Sequence, residues 1–217
     1  MVKTNGNGRK IVLDLCGGTG AWSKPYKEAG YDVRNITLPK YDVREYVPPK
    51  NVYGILVAPP CTMFSLTRTK AKKPRDLKEG MEVVRACLNI IWSFMEVQQD
   101  TRHKKLPLKF WALENPNGML KYFLGKPAFV FDPWEFGDGY QKKTHIWGWF
   151  NEPKKNVIER PKGDLALYKS LTPSKRIKFD RLHTKDIAPE FYGKLTRTER
   201  RAITPKGFAE AFFKANR

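Results

Sequence analysis

Cysteine and histidine are scarce, three of each in 217 residues, and acidic side chains are outnumbered: 22 Asp and Glu face 41 Lys and Arg, a formal net charge of +19. Three widely spaced cysteines, Cys16, Cys61 and Cys87, are an odd number that suits free thiols in a reducing compartment rather than a disulfide framework. No Cys or His pair has zinc-ligand spacing, so no metal is expected. The chain also lacks a run of ~18 apolar residues that could span a membrane, and its first residues lack the apolar core of a secretory leader. A soluble, intracellular, cytoplasmic protein without a membrane partner is expected. The shortage of acid leaves a basic surface that attracts polyanions, and nucleic acid is the natural partner. A chain merely kept soluble by its charge is the plainer alternative. Neither a basic amphipathic helix nor a lipidation motif points to anionic lipid.

The length suits one α/β domain with a core of ordinary size, expected to be monomeric. Residues 1–9 are polar and rich in Gly and Asn, the composition of a frayed end. Residues 11–15 then form an apolar run closed by a glycine-rich turn, which predicts a buried strand, and a helix is expected over 22–29, stopped by Gly30. The alternation continues with strands near 32–38 and 53–58. A long helix near 78–99 carries Met81, Val84, Cys87, Leu88, Ile91 and Phe94 at helical spacing. A strand over 109–113 runs into Glu114-Asn115-Pro116-Asn117-Gly118, a turn by composition. Two later strands are expected near 129–133 and 144–150, and a last helix over 206–215 with Thr204 as its N-cap and Pro205 as its first residue. Strands alternating with helices imply a doubly wound, mostly parallel sheet, whose ligand sites lie at the carboxyl ends of its strands.

Three segments at such strand ends carry chemistry. In Asp14-Leu15-Cys16-Gly17-Gly18-Thr19-Gly20 the glycines let backbone approach a ligand and present amide groups to it, though the same turn can bind a dinucleotide or only close a bend. The segment lacks the third glycine of the dinucleotide fingerprint and the lysine of a phosphate loop. In Ala58-Pro59-Pro60-Cys61-Thr62-Met63-Phe64-Ser65 two prolines stiffen the approach to a thiol, which suits a nucleophile held in a preset direction. The same residues suit a small buried thiol in a proline turn. Glu114 leaves an apolar strand where burial could make it a proton donor, or where it is simply a solvated loop acid.

These segments, in this order, resemble the cytosine-C5 methyltransferase family. Asp14, Gly18 and Gly20 match its glycine-turn cofactor motif; Pro59, Pro60, Cys61, Phe64 and Ser65 its Pro-Pro-Cys loop; Glu114 and Asn115 its Glu-Asn dipeptide. Gln141-Lys142-Lys143-Thr144-His145 resembles the Gln-x-Arg-x-Arg strand that supports the base and the nucleophile loop. The resemblance covers most of residues 10–150 and returns weakly at 203–209. It implies a Rossmann-like, S-adenosylmethionine-dependent fold with seven strands, the last ones antiparallel, and a catalytic core over 1–150. It further implies that S-adenosylmethionine is bound, leaving S-adenosylhomocysteine, by Asp14, Cys16, Gly17, Gly18, Gly20, Trp22, Thr37, Asp42 and Pro59, with Asp42 as the adenine-binding acid.

The implied chemistry is addition of the Cys61 thiolate to cytosine C6, assisted by Glu114, Pro60, Asn115, Lys143 and His145, on a base turned out of the stack. Lys143 is the expected basic neighbour that favours the thiolate. Cys16 replaces an aromatic usual in the family, and Lys143 and His145 stand where it has arginines. Where the family inserts a target-recognition domain, residues 151–197 hold only a basic stretch, and 198–217 are expected to return to the core as a helix. Ser65, Arg68, Lys142, Lys175, Arg176 and Lys178 are the expected nucleic-acid contacts, made to phosphates more than to bases. The expected substrate is DNA, in a bacterial or phage setting. RNA, a modified methyl donor, and an inactive nucleic-acid-binding relative are the alternatives.

Overall fold

A computed structural model describes residues 10–66, 68, 71–98, 108–138, 140–158 and 191–217. Six strands form one mixed sheet: β1 (Ile11–Leu15), β2 (Asp32–Ile36), β3 (Val52–Val57), β4 (Phe110–Pro116), β5 (Phe129–Phe131) and β6 (Thr144–Trp149), in the order β2-β1-β3-β4-β6-β5. The first four are mutually parallel, β6 runs antiparallel to β4, and β5 antiparallel to β6. The described residues therefore hold six strands, not the seven expected. Between β2 and β3, residues 37–51 form turns and bends rather than a further strand.

Alternation along the strands sends side chains into two cores. Leu13, Leu15, Ile55, Val57, Leu113 and Trp147 meet Val84, Cys87, Ile91 and Phe94 of the long helix α2 (Leu77–Gln98) on one face. On the other face Val12, Leu56, Phe110, Ala112 and Ile146 meet Trp22, Tyr26, Phe208 and Phe212, which flank or belong to α1 (Lys24–Glu28) and the C-terminal helix. Burial on both faces explains why β1 and β3 are largely apolar runs, whereas the edge strand β2 is half polar. Two shorter helices, α3 (Lys121–Leu124) and α4 (Arg197–Ala202), precede the C-terminal helix α5 (Lys206–Ala215).

Several boundaries differ from expectation for identifiable reasons. β4 does not stop at 113, because β6 pairs with its extension: Glu114 opposes Ile146, Asn115 opposes His145 and Pro116 opposes Thr144. The turn composition of 114–118 is overridden by that partner. The helix expected over 198–217 is two, because α4 starts at a reciprocal capping box of Thr196 and Glu199 and ends before Pro205. Thr204 is not the cap of α5; Pro205 takes that position without a side-chain bond. The Asp138 carboxylate, from the loop after a 3-10 turn at Pro133–Phe136, accepts from Gly207 N at 2.9 Å instead. At the other end of α5, Asn216 and Asn151 exchange hydrogen bonds at 2.8 and 2.9 Å, tying the C-terminal residues to the exit of β6.

Strand order reverses between β1 and β3: the chain leaves β1 toward β2 on one side and leaves β3 toward β4 on the other. Such a reversal opens a crevice beyond the carboxyl ends of those strands. Close packing of β6 on β4 depends on Gly148, whose φ is +145° and where a Cβ would lie 2.1 Å from the Trp111 carbonyl oxygen. Gly148→Ala should therefore lower stability by more than about 2 kcal/mol in urea unfolding. A loss below about 1 kcal/mol would show that these strands shift apart at little cost.

Candidate active site

Four adjacent strand ends frame the candidate site. Cys16 N donates to Ile36 O at 2.8 Å and Ala58 N to Leu15 O at 2.9 Å, so the ends of β2, β1 and β3 are locked side by side. Asp14, on β1, is fully buried, and Ser23 Oγ donates to its Oδ2 at 2.5 Å. Its Oδ1 has no hydrogen-bond partner among the described residues. Burial lifts its pKa to about 6 against the opposing Ser23 bond. Glycine is required at 17, because a Cβ there would sit 2.3 Å from the Asp14 carboxyl carbon. Cys16 adopts a left-handed φ of +58°, followed by positive φ at Gly18 and Gly20. Asn35, from the end of β2, donates to Gly18 O at 3.0 Å and holds this turn.

The remaining expected cofactor residues divide. Thr37 is half-buried, with its carbonyl accepting from Tyr41 N at 3.0 Å. Pro59 is buried beside the turn. Trp22 is only 2% exposed, with its ring against Phe208 and Phe212 at 5.8 and 5.4 Å, so it belongs to the core and not to the open face of the glycine turn. Asp42 is committed elsewhere: its carboxylate accepts from Arg44 N and from Arg44 Nε at 2.9 Å, and pairs with the rest of that guanidinium. The side-chain bonds from Arg44, then its backbone N–H, hold the Asp42 pKa down to about 2.

On the other side of the crevice stand Cys61 and Glu114. The Cys61 turn follows β3 directly, and Phe64 N and Ser65 N both donate to Cys61 O at 3.0 and 2.8 Å. Asn115, fully buried, donates its amide to Pro59 O at 3.0 Å, joining the end of β4 to the proline pair. Pro60 is exposed and Cys61 half-buried. Burial raises the thiol pKa above its ordinary value; Lys142 draws it down, Glu114 pushes it up, and Arg201 draws it down in turn. Lys142 Nζ lies 3.7 Å from Glu114 Oε1, with side chains 14% and 12% exposed.

The basic neighbour of the thiol is thus Lys142, not Lys143. Glu114 opposes Ile146 in the β4–β6 register, so alternate residues 146, 144 and 142 share its side, whereas 145 and 143 fall on the other. Lys143 is exposed and contributes its carbonyl to Asn117 N at 2.8 Å. His145 is buried on the side of Trp147, at 5.6 Å between rings, and burial, then Lys121 and Lys143, lower its pKa. Of the expected nucleic-acid contacts, Ser65 is half-buried and bridged to Gly118, Arg68 is half-buried, and Lys175, Arg176 and Lys178 lie outside the described residues. Sequence reasoning missed Ser23, Asn35, Arg75 and Arg201; none carries a local signature, since each matters only through the neighbouring segment it meets in the fold.

No group of three or more His, Cys, Asp or Glu is gathered as a metal cluster among the described residues, and no described helix is long and apolar enough to cross a membrane. No protein-family model matches the chain, and no curated protein is significantly similar to it.

Ionised Asp14 is costly in this core. Its folded pKa lies above the unfolded carboxylate value, so the folded state binds the extra proton and stability falls as pH rises from about 4 through 6. Asp14→Asn should raise the melting temperature at pH 7 by roughly 5 °C and change it little at pH 4. It should at the same time weaken any cationic ligand of the glycine turn. Equal effects at both pH values would show that Asp14 is not an ionisable burden.

Proposed function

We propose that this protein is an S-adenosylmethionine-dependent cytosine-C5 methyltransferase acting on DNA, with Cys61 as nucleophile. One observation carries the reading: a thiol leaving β3 and a carboxyl ending β4 share Lys142, beside a glycine turn at the end of β1. The mixed six-stranded sheet is compatible with the Rossmann-like core that the matched motifs imply.

The turn suits the cofactor's aminoacyl end. Asp14 presents a buried, unpartnered carboxylate oxygen, the turn has no side chain at Gly18 to block an approach, and the backbone there is held by Asn35. Thr37 and Pro59 would border the nucleoside end, and Asp42 would reach an adenine only by leaving Arg44. When bound, S-adenosylmethionine supplies an electrophilic methyl group on its sulfonium for cytosine C5.

The chain's own residues do the rest. Cys61 Sγ bonds to C6 of a base turned out of the stack, and the C5–C6 π pair is released toward C5. Glu114 holds the N3 edge, so that negative charge building on the ring is met by a proton there. Lys142 steers Glu114 and offsets the thiolate that burial disfavours. After the methyl group is in place, a water molecule takes the C5 proton, the C5–H pair restores the C5–C6 double bond, and the C6–S pair leaves on Cys61 as the thiolate. The +19 charge supports binding through phosphates, with affinity falling steeply as salt rises.

A catalytically inactive nucleic-acid-binding protein is the second reading, favoured by the Asp42–Arg44 pairing and by the raised thiol pKa. Incubation with methyl-labelled S-adenosylmethionine and separate DNA and RNA pools, followed by nucleoside analysis, decides between them. Label in 5-methylcytosine from DNA is expected; label from RNA alone would move the substrate, and none in either pool would favour the inactive reading. Cys61→Ser should lose about a thousandfold or more in rate, and Lys142→Met about tenfold or more, both retaining nucleic-acid binding. Undiminished transfer by Cys61→Ser would overturn the mechanism.

A further inference from the structure

The Cys61 turn is held from below by a side chain that none of the matched motifs contains. Arg75 lies at the end of the loop that follows the turn, and its two terminal nitrogens are divided between two carbonyls of the turn: Nη1 donates to Met63 O, and Nη2 to Ser65 O at 3.0 Å. These carbonyls flank Phe64, which is fully buried and whose own carbonyl accepts from Met119 N at 2.8 Å. Arg75 is itself fixed, because the next residue caps α2. Asp76 Oδ1 accepts from Glu79 N at 2.8 Å as an N-cap, and Asp76 N approaches Met63 Sδ at 3.5 Å. The fork therefore transfers the rigidity of a 22-residue helix to the turn that aims the thiol.

We propose that Arg75 is the positioning residue of the Cys61 turn: its guanidinium clamps the Met63 and Ser65 carbonyls to the start of α2 and so fixes the direction of the thiol. This rests on the reading of Cys61 as the nucleophile. A planar fork with separate N–H donors reaches two carbonyls at once, whereas a lysine ammonium on a flexible stem cannot hold both in one geometry. Lost direction costs rate rather than affinity, since a displacement of about 1 Å at the reacting atom is worth about a hundredfold.

Arg75→Gln should lower kcat by about a hundredfold while the KM for S-adenosylmethionine stays within about twofold, and Arg75→Lys should fall between. Guanidinium ion added to Arg75→Ala should restore part of the rate, and added ammonium should not. Two readouts need no methyl transfer. Amide hydrogen exchange at Phe64 and Ser65 should quicken in Arg75→Gln with β1 unchanged, and the rate of Cys61 alkylation by iodoacetamide, resolved by peptide mapping, should shift. Unchanged kcat, exchange and alkylation overturn the proposal, as does a loss of kcat without faster exchange at 64 and 65. If Arg75→Gln loosens the whole fold, partial recovery of Arg75→Ala by guanidinium but not by ammonium supports the clamp, and no recovery, or equal recovery with both ions, overturns it. If the wild-type protein transfers no methyl group, the functional reading fails, and the exchange and alkylation results alone decide the clamp.

Discussion

Everything at the crevice depends on β1 being paired in parallel with β2 on one side and β3 on the other. That pairing forces the chain to leave in opposite directions from neighbouring strands, so the segments after β1 and β3 diverge and leave a gap beyond their ends. It also brings Cys16 N to Ile36 O and Ala58 N to Leu15 O, which fixes the glycine turn and the proline pair relative to each other. The next strand extends the arrangement: β4 lies parallel to β3, and Asn115 at its end donates to Pro59 O. A thiol and a carboxyl from segments more than fifty residues apart are thereby set on one rim.

Electrostatics at the rim pull in opposite directions. Burial alone disfavours the Cys61 thiolate and the Asp14 carboxylate, and both pKa values rise. Compensation is local and uneven: Lys142 and Arg201 oppose the rise at Cys61, whereas among the described residues Asp14 has only a hydroxyl partner, Ser23. A core that tolerates an acid with one unpartnered oxygen carries a cost that a cationic ligand can relieve. The Asp42–Arg44 pair shows the reverse, a carboxylate whose needs are already met at the surface.

Local pattern made β1, α2 and α5 legible, because an apolar run between turn signals and a helical stripe need no knowledge of partners. Cys61 and Glu114 could be singled out for the same reason: each follows a strand that sequence already marks. What depended on a partner was not legible. The extension of β4 through Pro116 requires β6 beside it; the choice of Lys142 over Lys143 requires the register of that pair; and the cap on α5 comes from Asp138 rather than from Thr204 next door. Trp22 looked like part of the glycine turn by position, but two phenylalanines of α5 claim its ring. The capping box at Thr196 and Glu199 was a readable local signal for α4, hidden in a stretch otherwise dominated by charge.

In the proposed mechanism Cys61, and neither of the other two cysteines, bonds to cytosine. A duplex containing 5-fluorocytosine tests it directly, because fluorine at C5 cannot leave as a proton does, and the adduct is trapped once the methyl group is in place. With S-adenosylmethionine present, a complex stable to denaturant should form, and peptide mapping should find the nucleoside on Cys61. Measurable methylation of ordinary cytosine without a trapped adduct, or an adduct on Cys16 or Cys87, would contradict the account.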